Sequence, residues 1–395
     1  MKKVLIYYRY FGKTLGGGEF LPLTFVAELQ KQCEVTLALD WTDHIEEAVD
    51  FFEIPLDLSN VKLVKVMPEN YHGTNNSKWL SFYRFLKLRK LAKNADICIS
   101  MANVMDFGKP AHHFLISLEI GDPDFYVFLK NGTKPDKLPL RQSLKQTFNA
   151  ALRHLLGMRS KREIFCDPAE HIYPNSRYVD KLLKDFYGDF STTVFYPPTI
   201  FEFPADQVPR DPLKVVYLGR VAPAKRLEDI ISIVKLAREL SGENITLDIA
   251  GHLGSSSYHR QLENFSGGSS WIKFIGPVHG REKADFLRSG SFAVHTLRTE
   301  AFGISITEYL KAGLITIVPD EGGSSEVTDN PELSFSSLEE GARILVKLLK
   351  DPEFRKRQSL HCARRAEEFS QQHYLENQHR ILTEILAAAG SGESH

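Results

Sequence analysis

Thr299-Glu300-Ala301-Phe302-Gly303-Ile304-Ser305-Ile306-Thr307-Glu308 is the stretch that decides the architecture. Behind it, Phe292–Thr296 is a short apolar run of strand character. Ahead of it the pattern turns helical as far as Ala312-Gly313, where glycine suits a helix C-cap. A strand, a loop carrying one glutamate and a helix carrying a second make one β–α step of a parallel sheet. Between the glutamates, the small residues Gly303 and Ser305 let a ligand approach backbone N–H groups at the helix start, an end that attracts phosphate. An acidic cap followed by a solvated face needs the same residues, so this stretch alone divides evenly between the two readings.

The alternation continues on both sides. Lys214–Leu218, Thr246–Ala250, Ile272–Ile275, Phe292–Thr296 and Leu314–Val318 read as strands, with one helical stretch between each pair. The helix from Leu227 places Ile230, Ile231, Val234, Ala237 and Leu240 at spacings of three and four, the pattern of one buried face. Toward the N-terminus, Val4–Tyr8, Glu34–Leu39, Lys62–Val66, Asp96–Ser100, Phe114–Glu119, His171–Pro174 and Thr193–Tyr196 repeat the scheme. Tyr196-Pro197-Pro198 breaks it, and a proline-spaced stretch to Pro212 reads as a linker. The expected class is α/β, with domains at 1–198 and 199–370 facing across a cleft. A final segment, 371–395, crosses back to the first domain and ends in a frayed tail. In such sheets, ligands bind beyond the carboxyl ends of the strands.

Composition sets outer bounds. At 395 residues the chain exceeds one ordinary core. A net charge of −1 gives no global attraction to nucleic acid. Cys33, Cys98, Cys166 and Cys362 are far apart with no CxxC pair, which points to reduced thiols and a cytoplasmic protein rather than a disulfide framework or zinc site. No run approaches the roughly 20 apolar residues that span a bilayer.

A second cluster follows the strand Lys214–Leu218. Gly219-Arg220-Val221-Ala222-Pro223-Ala224-Lys225-Arg226 places two cations five residues apart in a loop. Arg220 can fork onto phosphate oxygens, and Lys225 supplies a point charge; Arg226 competes for the lysine's role. A third cluster, Gly16-Gly17-Gly18-Glu19, follows the first strand, where glycines permit backbone conformations and approaches that a Cβ would block.

These motifs together resemble family 4 of the glycosyltransferases, whose signature is two glutamates separated by seven residues around Phe-Gly. Glu308-Tyr309-Leu310-Lys311-Ala312-Gly313, and Asp320-Glu321-Gly322-Gly323 with Glu326, resemble its following helix and glycine turn. The resemblance implies a GT-B fold and retaining, metal-independent transfer of a sugar from a UDP- or GDP-linked donor, with no cofactor. It implies that Glu308 holds the ribose hydroxyls and Glu300 contacts the donor sugar. Backbone groups of Phe302, Gly303, Ile304 and Ser305 then face diphosphate and sugar, Arg220 and Lys225 the diphosphate, and Gly17 and Gly18 the transferring group. His171 to Tyr178 resembles a further family strand end, where Asn175 or Ser176 also suits an N-cap. One departure stands out. Where the family carries a sugar-facing histidine after a strand, this chain has Ser117-Leu118-Glu119, and its His112 and His113 precede that strand.

A glycosyl phosphorylase or hydrolase on the same fold, and a non-catalytic binding module, are the competing readings. The acceptor expected from the resemblance is a glycan or a lipid-linked hydroxyl. Two basic amphipathic stretches, 79–93 and 141–162, add an anionic membrane surface at the inner face as an expected partner. Asp122-Pro123-Asp124 is the closest pair of aspartates in a metal-like spacing, and a proline turn accounts for it.

Overall fold

The computed structural model describes residues 1–12, 15–68, 71, 78–133, 153, 155–201, 203, 209–252, 254 and 256–390. Two compact units divide the chain: Met1–Pro197 with Leu375–His395, and Pro198–Tyr374.

The first unit is a six-stranded parallel sheet in the order β3-β2-β1-β4-β5-β6. Its strands are β1 (Lys2–Tyr8), β2 (Cys33–Leu39), β3 (Val61–Lys65), β4 (Ile97–Ser100), β5 (His112–Leu115) and β6 (His171–Pro174). In β1 every residue from Val4 to Tyr8 is buried, as expected of a central parallel strand covered by helices on both faces. Register runs from Lys2 against Cys33 to Tyr8 against Leu39 on one side, and from Val4 against Ile97 on the other.

Two expectations are corrected here. Thr193–Tyr196 is not a strand; Thr193 and Phe195 donate to carbonyls of β6, and the pairing goes no further than one bridge at Thr192. The prolines at 197 and 198, which have no N–H to donate, stop the ladder there. The fifth strand begins two residues early and ends at Leu115, so His112 and His113 lie inside it rather than before it. His113 is buried against Glu170 at 2.8 Å, and His112 meets the Tyr173 hydroxyl at 3.2 Å.

The second unit repeats the plan in the order β12-β11-β10-β7-β8-β9. Here β7 is Lys214–Leu218, β8 Thr246–Ala250, β9 Ile272–Gly276, β10 Phe292–Val294, β11 Ile315–Pro319 and β12 Ser334–Phe335. The two-residue β12, which sequence reading omits, is too short to show alternation, yet it closes the sheet edge against β11. The helix Leu227–Ser241 buries Ile230, Ile231, Val234 and Ala237 as expected, but Leu240 is exposed. Leu240 lies in the last turn, close to the C-cap Gly242.

The final helix, Gln371–Ala388, begins in the second unit and from Leu375 belongs to the first. Ile381, Leu382 and Ile385 are buried there, and Gln378 donates to the Thr24 hydroxyl at 3.1 Å. All four cysteines are free.

Candidate functional site

In the second sheet β7 and β10 lie side by side, and the chain winds outward from them in opposite directions. That is the switch point where loops at the carboxyl ends of parallel strands diverge and leave a crevice. The loop after β7 carries Arg220 and Lys225, and the loop after β10 carries Glu300. Topology thus brings together residues that are far apart in sequence. Lys225 Nζ donates to Glu300 Oε2 at 2.6 Å.

Three local features hold this arrangement. Pro223–Lys225 forms a single 3-10 turn, and the Thr296 hydroxyl, just beyond β10, donates to the Arg226 carbonyl at 3.1 Å. At the end of β7, the Tyr309 hydroxyl accepts from Leu218 N–H at 2.7 Å and donates to Leu218 C=O at 3.0 Å. The following helix is thereby tied to the strand that launches the cationic loop. Finally, Gly323 N–H donates to the Glu300 carbonyl at 2.7 Å, and a Cβ at Gly323 would sit 2.2 Å from the Ala301 carbonyl oxygen. Glycine is therefore required there, because two backbones touch.

The structure separates the two neighbouring cations. Lys225 turns to Glu300, whereas Arg226 takes a left-handed conformation at φ 51° and pairs with Asp229. Arg220 is exposed and, among the described residues, has no ion-pair or hydrogen-bond partner.

The helix that follows Glu300 spans Ile304–Lys311, with Gly303 at its N-cap at φ 94°. A Cβ at Gly303 would lie 2.6 Å from Ile306 Cδ1, so both conformation and space call for glycine. No side chain caps this end. The Ile306 N–H bonds back to Gly303 C=O at 2.9 Å, and the N–H groups of Ile304 and Ser305 belong to the uncapped first turn. Phe302 points inward, edge-on to Phe369 with ring centroids 5.4 Å apart, so only its backbone is placed to meet a ligand.

Glu308 lies about one turn into the helix. It is buried and accepts from Lys283 Nζ at 2.5 Å. That ammonium also lies 5.1 Å from the Phe201 ring centroid. Two lysine–glutamate pairs therefore flank one helix N-terminus. Burial pushes the Glu300 carboxyl up, but Lys225, His295 and hydrogen bonding outweigh it and leave the group below its ordinary value.

Sequence reasoning missed Lys283 and His295. Lys283 sits on the helix Gly280–Ser289, which carries no motif. His295 directly follows β10 and is 2% exposed, with Nε2 3.5 Å from Glu300 Oε2. Its burial lowers the ring pKa to about 4, so it is neutral near pH 7. A single histidine at the end of an apolar strand gives no spacing signal.

In the first unit, Gly17 and Gly18 open the helix Gly17–Leu29, and Gly16 is its N-cap. Gly16 N–H donates to Glu19 Oε2 at 2.9 Å. The backbone here is ordinary, and a Cβ at Gly18 would find Ile116 no nearer than 3.8 Å. The fold itself leaves room for a Cβ at position 18. Glu119 is exposed beyond β5, where its carbonyl accepts from Asn103. Ser176, not Asn175, is the N-cap of the helix Arg177–Tyr187, accepting from Val179 N–H. Asp122 caps the helix Pro123–Asn131 through Asp124 and Phe125 N–H groups and accepts from the Tyr187 hydroxyl at 2.6 Å.

Comparisons with known proteins bear on this geometry. Residues 200–361 match the family model of glycosyl transferases group 1, a span that contains every residue of the second-unit site. Over an alignment of 239 residues, part of the chain is 23% identical to the uncharacterized glycosyltransferase YqgM of Bacillus subtilis (strain 168). The alignment covers 54% of this chain and 66% of the relative, just under two thirds of its length. Among solved structures, Alr3699/HepE of Anabaena, in complex with UDP and glucose, superposes with a TM-score of 0.64 at 14% identity. The match covers 98% of this chain and 100% of that one. The sucrose-phosphate synthase of Thermosynechococcus elongatus gives 0.66 at 14% identity, with 98% and 100% covered. These likenesses establish the fold as the two-sheet α/β architecture of GT-B glycosyltransferases.

Proposed function

We propose that this chain is a glycosyltransferase taking a sugar from a nucleoside-diphosphate donor, and that the donor binds at the β7–β10 switch point. The observation that carries the reading is the pairing of Lys225 with Glu300 and of Lys283 with Glu308 around the uncapped helix start at Gly303. The group 1 family match over the same residues supports it. In this reading Glu308 accepts the ribose hydroxyls and Glu300 meets the sugar. The N–H groups of Ile304 and Ser305, with Arg220 and Lys225, take the diphosphate.

Transfer proceeds with retention and without a metal. The departing diphosphate oxygen accepts the proton of the acceptor hydroxyl on the face where the new bond forms, while the cations and helix N–H groups stabilise charge growing on that oxygen. One preorganised donor of this kind is worth about 3 kcal/mol of barrier. The donor is UDP- or GDP-linked, and the acceptor a glycan or lipid-linked hydroxyl presented at an anionic membrane surface. The support for that surface is a helix of the first unit that leaves Trp79, Tyr83 and Leu86 exposed.

Calorimetric titration with UDP and GDP tests the site. Glu308→Gln is expected to weaken nucleotide binding about tenfold, the scale of a lost charge-assisted hydrogen bond, while thermal unfolding stays sharp. Unchanged affinity removes Glu308 from the site.

A further inference from the structure

Glu300 Oε2 has two nitrogen neighbours at unequal distances: Lys225 Nζ at 2.6 Å and His295 Nε2 at 3.5 Å. The shorter contact is an ion pair between groups that are both mostly buried. The longer one is beyond hydrogen-bonding reach, and both ring nitrogens of His295 are buried without a hydrogen-bond partner among the described residues. An imidazole held in that state costs stability unless it serves a partner at some stage. The strand fixes its position, because His295 N–H donates to Ile317 C=O at 2.9 Å. Glu300 reaches it from a loop.

We propose that Lys225 and His295 alternate as partners of the Glu300 carboxylate. An incoming diphosphate draws Lys225 away, and Glu300 Oε2 then closes onto His295 Nε2–H, so the lysine leaves without stranding a buried charge. This rests on the donor-site reading above, and it makes His295 a positioning residue that acts through Glu300. The exchange needs a neutral ring with its proton on Nε2, and burial keeps the ring neutral. Without His295, releasing Lys225 would leave the buried carboxylate with only the Ala301 N–H, an expensive state that opposes phosphate binding. The histidine therefore sets how readily the lysine is given up, and through that the affinity for diphosphate.

The test is calorimetric binding of UDP and GDP to the full chain and to His295→Leu, His295→Gln, Glu300→Gln and Glu300→Gln/His295→Leu. His295→Leu should weaken binding about tenfold, and His295→Gln, which keeps an N–H donor, should recover most of the loss. With Glu300→Gln no charge is stranded, so adding His295→Leu should change affinity by no more than about twofold. A merely structural histidine predicts the same loss in both backgrounds and no rescue by glutamine. Either result overturns the exchange, as does full affinity in His295→Leu. A wild-type chain that binds neither nucleotide overturns the donor-site reading and this inference with it. Nucleotide binding that is indifferent to His295 overturns this inference alone.

Discussion

At the scale of single residues, the chain buries histidines in neutral form, and this ties its stability to pH. His295 in the second unit has its pKa lowered to about 4, and His112 in the first to about 3, from an ordinary 6.5. Desolvation is the leading cause in both; His171 and His113 add to it at His112, while at His295 the Glu300 carboxylate opposes it and Lys225 reinforces it. The folded chain thus binds fewer protons than the unfolded chain in the interval below pH 6.5. The stability these rings support is fully present above that pH and is lost as pH falls through about 4 and then about 3. Each ring places on the order of 3–5 kcal/mol at stake. Denaturant unfolding should therefore show midpoints falling steadily from about pH 6.5 to about pH 4, and His112→Phe should flatten the fall. A midpoint independent of pH across that interval would contradict the neutral-ring assignment.

At the scale of the element, the helix Lys78–Ala92 divides its cations in a way its sequence does not reveal. Arg84 turns inward and forks onto Asp40 at 2.9 and 2.8 Å, while Tyr7 donates to the same carboxylate at 3.0 Å. Arg89 stacks over Phe85 and donates to the Gly157 carbonyl at 3.2 Å. Phe85, Leu88 and Ala92 enter the core. What remains outward is a stripe at helical spacing: Trp79 at 79% exposure, Tyr83 at 41% and Leu86 at 48%, then Lys90 and Lys93. Of the second basic stretch, 141–152 and 154 lie outside the described residues, but Leu155 is exposed two residues before the Gly157 that Arg89 contacts. No helix among the described residues is long and apolar enough to cross a membrane. An interfacial helix needs only such a stripe, with about 1 kcal/mol from each lysine near anionic lipid. Vesicles containing phosphatidylserine should sediment the protein at low salt, and Trp79→Ser/Leu86→Ser should abolish this without lowering the unfolding midpoint. Equal, negligible sedimentation on neutral and anionic vesicles removes the membrane from the proposal.

At the scale of the whole molecule, the two parallel sheets were readable because central strands are continuous apolar runs and glycine turns mark their ends. The fifth strand was misplaced because His112 and His113 do not look apolar, although the sheet half-buries the first and fully buries the second. The glutamate pair and the cationic loop were legible as local patterns; Lys283 and His295 were not, since only the folding of β10 and a neighbouring helix carries them to the site. The chain leaves its first unit at Pro197 and re-enters it at Leu375. Truncation after Tyr374 uncovers the partners of Gln378, Ile381, Leu382 and Ile385. It should lower the first unit's unfolding temperature while leaving the second unit's nucleotide affinity within about twofold. Unchanged thermal unfolding of the truncated chain contradicts this. The same split imposes an order on biosynthesis. The second unit is one unbroken segment that can mature as soon as it clears the ribosome. The first unit, begun earlier, waits with an uncovered flank for its last helix, so the part made first is the part finished last.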